Sequence, residues 1–129
     1  YKRQVTGQVK LLQGNLLEPL PQPIDMIVAN LPYIKTCEFK DLSPEIINFE
    51  PTIALAAGKN GLDKIRQLLK QMPGKLDYGA CFLLEIGQGQ GKIATSLVNS
   101  YFPQASIELI SDLGGIDRVV KVILQEGVR

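Results

Sequence analysis

Four consecutive residues, Asn30-Leu31-Pro32-Tyr33, carry the sharpest chemical possibility in this sequence. A carboxamide nitrogen is a poor nucleophile because its lone pair is delocalised into the carbonyl. To alkylate it, a site must hold the NH2 group, accept its hydrogens and aim the lone pair at an electrophile. The Asn30 side-chain oxygen can accept one hydrogen and the backbone carbonyl of Leu31 the other. Tyr33 can stack on the flat amide and lie near a sulfonium cation, a favourable cation–aromatic arrangement. Most of the rate would come from positioning and preorganised dipoles. The chain contains no histidine, so the commonest general base is missing. Such a site does not need one.

These residues must be positioned by neighbouring elements. Ile24 to Ala29 (IDMIVA) reads as a strand, apolar on both faces after Asp25, which suits a buried parallel strand. It must stop at Pro32, which cannot donate to a ladder. Asn30 therefore falls beyond a strand's carboxyl end, where open α/β sheets hold their ligands. Further strands are expected at Val9 to Gln13, Ala80 to Ile86, Ser106 to Ile110 and Arg118 to Leu124. A helix is expected from Gly61 to Met72, capped by Asn60 and ended by Pro73-Gly74. Helical spacing recurs at Ile93, Leu97, Val98 and Tyr101. Alternating strands and helices imply an α/β sheet with helices on its faces. The last two strands are joined by too few residues for a parallel crossover, so the final strand should run antiparallel to its neighbour. Lys35 to Lys59 is a long irregular connection, with a helical turn possible after Ser43. Such a length in a compact domain points to function.

Bulk properties narrow the classes. The 129 residues carry 14 basic and 13 acidic side chains, a formal charge of +1. That suits one globular domain and argues against phosphate-driven nucleic-acid binding. Two cysteines, Cys37 and Cys81, are too few for a disulfide framework or a zinc site, and no metal is expected. Cys81 lies in an apolar run and reads as a core thiol. No signal peptide or membrane-spanning run is evident, which makes the cytoplasm the default. The opening residues, YKRQVTGQVK, suggest a piece of a longer protein.

The segment IVANLPYI resembles the asparagine-proline-proline-tyrosine motif of amino-group methyltransferases. Asn48 to Leu55 (NFEPTIAL) is similar to the Phe-Glu-Pro stretch of the protein-glutamine methyltransferases that modify peptide-chain release factors, the HemK/PrmC type. Phe82 to Gly87 (FLLEIG) with Gln90-Gly91 resembles the same family's later strand and turn, and Asp112 to Val119 (DLGGIDRV) its closing segment. The matches cover nearly the whole chain in the family's order. They imply a Rossmann-like α/β sheet, mostly parallel with an antiparallel last strand, that uses S-adenosyl-L-methionine to methylate the glutamine of a release factor's Gly-Gly-Gln loop. By resemblance, Asn30 and Tyr33 are catalytic, and Leu31, Pro32, Glu50 and Pro51 bind substrate. Asn15, Leu16 and Asn30 approach the cofactor. Leu31 stands where the family has proline, but the role carried there belongs to a backbone carbonyl. Asn15 stands where an acidic residue is common.

The resemblance also implies an incomplete site. The family's sheet order is 3-2-1-4-5-7-6, and the strands read here would be the third to the seventh. The first two strands and the glycine-rich cofactor loop are not found, so cofactor binding by this chain should be weak or absent. A bare strand edge should favour pairing with a second copy. One feature competes for the cofactor: Gly87-Gln88-Gly89-Gln90-Gly91 follows a strand and looks like a glycine-rich nucleotide loop itself. That ordering occurs in some DNA amino-methyltransferases, but too few residues follow Gly91 for the strands it would still need. The alternatives are thus a DNA adenine or cytosine amino-methyltransferase, or a non-catalytic protein-binding remnant of the fold.

Overall fold

A computed structural model describes residue 5 and residues 7–21, 23–32 and 61–125. Its elements run β1 (Ile24–Ala29), α1 (Asp63–Gln71), β2 (Leu76–Glu85), α2 (Gly91–Tyr101), β3 (Ser106–Ser111) and β4 (Asp117–Ile123). The strands form one four-stranded sheet in the order β1-β2-β4-β3. β1 and β2 are parallel, while β4 is antiparallel to both β2 and β3. Three strands therefore share one direction and the last opposes them, as the short 112–116 connection requires. This order reproduces 4-5-7-6 of the sheet that the resemblance implied.

Local chemistry explains most element boundaries. In α1, Ile65, Leu68 and Leu69 recur at helical spacing and are buried on one face. Asp63 in the first turn and Lys70 in the last match the helix dipole. Gly74 takes φ +81, a left-handed conformation that glycine adopts without penalty, and the chain turns into β2. β2 begins four residues earlier than its apolar run suggested. Gly79, at φ +71, lets it bulge, and pairing shifts from Ile24↔Leu76 to Met26↔Cys81. The Asn60 cap, the 35–59 connection and Cys37 lie outside the described residues.

One face of the sheet makes the core. Phe82, Leu84, Val120 and Val122 are fully buried there with Ile65, Leu69 and Val98 from the helices. The Phe82 and Phe102 rings sit 5.6 Å apart with a 57° tilt, within the range favoured by aromatic pairs. α2 lies on β3 and β4, and α1 packs beside α2.

Two expectations are corrected. β1 is not buried on both faces. Ile27 is buried, but Met26 and Val28 are 53% and 72% exposed, and Cys81, level with Met26, is only half-buried. Strict alternation sends these side chains to the face opposite the two described helices. Val9 to Gln13 forms no strand, and Val9 and Leu11 are 55% and 83% exposed. An apolar run becomes a strand only beside a partner, and among the described residues it has none.

Candidate functional site

β1, β2 and β3 all finish at the same end of the sheet. That end is formed by Asn30-Leu31-Pro32 after β1, the 86–90 turn after β2 and the 112–116 turn between β3 and β4. Asn30 is exposed, while Leu31 and Pro32 are half-buried. Leu31 packs against the core, which ties the turn down and leaves the Asn30 carboxamide in solvent. An exposed amide at this position can present an acceptor to an incoming group without desolvating anything else. Tyr33, Glu50 and Pro51 lie outside the described residues.

Asn15 and Leu16 sit elsewhere. The Leu17 amide donates to Gln71 Oε1 at 2.7 Å, Lys75 Nζ donates to the Leu20 carbonyl, and the Ile24 amide donates to the Lys75 carbonyl at 2.7 Å. These bonds fix the 15–20 turn against the C-terminal end of α1, at the amino end of β1 and β2. Asn15 itself closes the turn, with its carbonyl accepting from the Glu18 amide and its Nδ2 donating to Glu18 Oε1. Leu16 holds φ 54, a left-handed conformation that strains the backbone of a branched residue. β1 is six residues long, so about 17 Å of strand lies between the 15–20 turn and Asn30. The structure does not bring the two groups together.

The glycine turn after β2 is closed rather than open. Gln90 is buried, and its Oε1 accepts the Gly87 amide at 2.8 Å. The Gly87 carbonyl in turn accepts the Gln90 amide at 3.2 Å. A β-carbon at Gly91 would lie 3.2 Å from Leu109 Cδ1 and 3.3 Å from Asp117 Oδ2. The turn thus spends a donor on its own side chain and packs its last glycine against β3 and β4. A phosphate cradle needs free amides and open space. Among the described residues, the 87–91 turn therefore offers no open glycine-rich cradle.

The third turn is braced by Asp112. Its Oδ1 accepts from the Gly114 and Ile116 amides at 2.8 and 3.1 Å, and its Oδ2 from Arg118 Nε at 3.2 Å. The Ile116 amide first, then the Arg118 side chain, hold the Asp112 carboxyl below the usual carboxylate range. Ser111 Oγ donates to Asp117 Oδ1 at 2.9 Å. Among the described residues no group of acidic, cysteine or histidine side chains could hold a metal ion, and no helix is long and apolar enough to cross a membrane.

Sequence reasoning placed Gln90 and Asp112 within family motifs without seeing that each braces its own turn, and it did not single out Gln71. A glutamine three residues after a strand-ending glycine is a usable signal for a self-capped turn. The Gln71–Leu17 bond spans 54 positions and leaves no local trace.

This sheet, with its last strand reversed, has a counterpart in a solved structure concerned with protein methylation. A chain of the E. cuniculi Mtq2–Trm112 complex, responsible for methylation of the eRF1 translation termination factor, superposes with a TM-score of 0.57 at 17% identity. The match covers 88% of this chain and 60% of that one. No protein-family model matches. Among curated proteins, the release factor glutamine methyltransferase of Bacillus anthracis is 37% identical over 117 residues, 88% of this chain and 41% of that protein. That of Gloeobacter violaceus is 39% identical over 117 residues, 90% of this chain and 41% of that protein. The chain is homologous, along most of its length, to the release factor glutamine methyltransferases, as the sequence motifs implied. It spans about two fifths of the length of the curated relatives it matches. These names all concern translation termination factors, and none a DNA base.

Proposed function

We propose that this chain is the amide-binding portion of an enzyme that methylates the side-chain nitrogen of glutamine in the Gly-Gly-Gln loop of a class I release factor. The observation that carries the reading is the exposed Asn30 at the carboxyl end of β1, in a chain aligned over 88% of its length with release factor glutamine methyltransferases. Asn30 Oδ1 and the Leu31 carbonyl accept the two hydrogens of the substrate amide, and Tyr33 stacks on its plane. Glu50 and Pro51 shape the glutamine pocket. Holding both hydrogens directs the nitrogen lone pair outward along one line, which contributes rate through orientation. S-adenosyl-L-methionine would supply the electrophilic methyl. Its glycine-rich cradle lies in sequence corresponding to the part of the relatives this chain does not span. Asn15 and Leu16 reach the cofactor only if the 15–20 turn leaves α1. The enzyme works in the cytoplasm, where release factors act. The outer edge of β1, with Met26 and Val28 exposed beside it, supports pairing with a second copy when nothing else covers it.

The test is calorimetric titration with S-adenosylhomocysteine, of this chain and of a protein extended upstream by the first two strands of the family's sheet. Binding is expected only for the extended protein. That protein should then transfer methyl to a release factor, and not to a variant with its Gly-Gly-Gln glutamine replaced. Tight binding by the short chain would overturn the reading and return the cofactor to the 87–91 turn.

A further inference from the structure

The register of the sheet brings a carboxylate toward Asn30. The last rung between β1 and β2 pairs Ala29 with Leu84. Asn30 and Glu85 each follow by one residue, Asn30 just beyond the end of β1, and that register continued would set their Cα atoms about 5 Å apart. Side chains alternate along each strand. Phe82 and Leu84 are fully buried on the helix-covered face, so Leu83 and Glu85 belong to the other. Val28, exposed, shares that face, and Asn30 follows it by two. Glu85 is half-buried and held at its other side. It pairs with Val119 of β4, and the next amide, Ile86, donates to the Arg118 carbonyl at 2.8 Å. Among the described residues, neither Asn30 nor Glu85 is committed to another hydrogen bond or ion pair.

We propose that Glu85 is a positioning residue for Asn30, its carboxylate accepting a hydrogen from Asn30 Nδ2 when substrate binds. A carboxamide presents an acceptor on one side and a two-hydrogen donor on the other, with nearly the same shape. Turned the wrong way, Asn30 would set its NH2 against the NH2 of the substrate glutamine, and methylation would stop. An ionised carboxylate only accepts, so it selects the orientation that aims Oδ1 at the substrate. A charge-assisted bond to Nδ2 also draws electron density toward Oδ1 and strengthens it as an acceptor. Catalytic hydrogen bonds commonly tighten only in the substrate complex. Both the contact between the two side chains and its role in catalysis rest on the proposed function above.

Two measurements separate these. In the first, the Asn30 side-chain NH2 resonances are recorded by NMR in the presence of a synthetic Gly-Gly-Gln peptide, for the native protein and for Glu85→Gln. Replacing the carboxylate should shift them, because a charge-assisted hydrogen bond is lost. Identical resonances in the two overturn the inference whatever the activity. In the second, the upstream-extended enzyme is assayed on release factor. Glu85→Gln should lower kcat about 10- to 100-fold, leave KM for the cofactor unchanged and keep the thermal midpoint. Glu85→Asp should restore part of kcat, which a merely structural role would not do. Loss of methylation in Asn30→Ala with full activity in Glu85→Gln sinks the positioning role and leaves the function standing. Full activity in Asn30→Ala sinks the reading of Asn30 itself.

Discussion

The turns after β1 and β2 occupy equivalent places on adjacent parallel strands and have opposite fates. After β1, Asn30 stands in solvent while Leu31 packs against the core beneath it. After β2, five residues rich in glycine look more like a ligand loop, yet Gln90 turns inward and takes the Gly87 amide. Gly91 is filled in by Leu109 and Asp117. Glycine content therefore measures how closely a backbone is approached, not what approaches it. In the second turn the visitor is the protein's own side chain. A polar residue left exposed beside an anchored turn is the better sign of a site.

Predictions sharpen this contrast, from the largest effect downward. Asn30→Ala should lower methylation by the extended enzyme about 10²- to 10³-fold, the scale for losing one preorganised hydrogen-bonding group. Its thermal midpoint should scarcely move, because the residue is exposed. Gln90→Ala should do the reverse. It orphans the buried Gly87 amide and should cost about 1–3 kcal/mol of stability in denaturant titration, with kcat per folded molecule retained. If Gln90→Ala instead creates S-adenosylhomocysteine binding in the short chain, the closed turn is a blocked cofactor loop and the contrast fails. Gly91→Val should destabilise by about 1–3 kcal/mol through overpacking against Leu109, with no change in cofactor affinity.

The smallest effect concerns acid stability. Asp112 has a lowered carboxyl pKa in the folded state. Its contribution is therefore present above the unfolded value of 3.8 and is lost as pH falls through the lowered folded one. Asp112→Asn should flatten the stability profile below about pH 4 and leave Asn30 chemistry untouched. A profile unchanged by the substitution would show that the brace is not linked to folding.

Much of the fold is legible in the residues themselves. The reversed last strand follows from the few residues between Ser111 and Asp117, and α1 from the spacing of Ile65, Leu68 and Leu69. Residues 9–13 show where reading stops. Their apolar pattern is that of a strand, but a strand is a property of a pair, and its partner is absent from the described sheet. Cys81 and Met26 mislead for a related reason. Composition registers that both are apolar, while only the alternation of the folded strand decides which face each occupies.

The candidate site divides along the same line. Residue type alone determined that any chemistry here must use carboxylates, amides, tyrosines, backbone groups or a cofactor, since there is no histidine. It also determined that Asn30 would follow a strand and that Pro32 would end it. These are local matters of dihedral preference and donor inventory. Tertiary structure decided that Asn15 and Leu16 lie at the far end of β1 from Asn30, in a turn whose Leu17 amide is held by Gln71 from 54 positions away. It decided that the glycine turn is sealed and that Ala29 pairs with Leu84, which brings Glu85 toward Asn30. Each depends on register between segments distant in sequence, and register is set by the packing of one face of the sheet, which no single segment encodes.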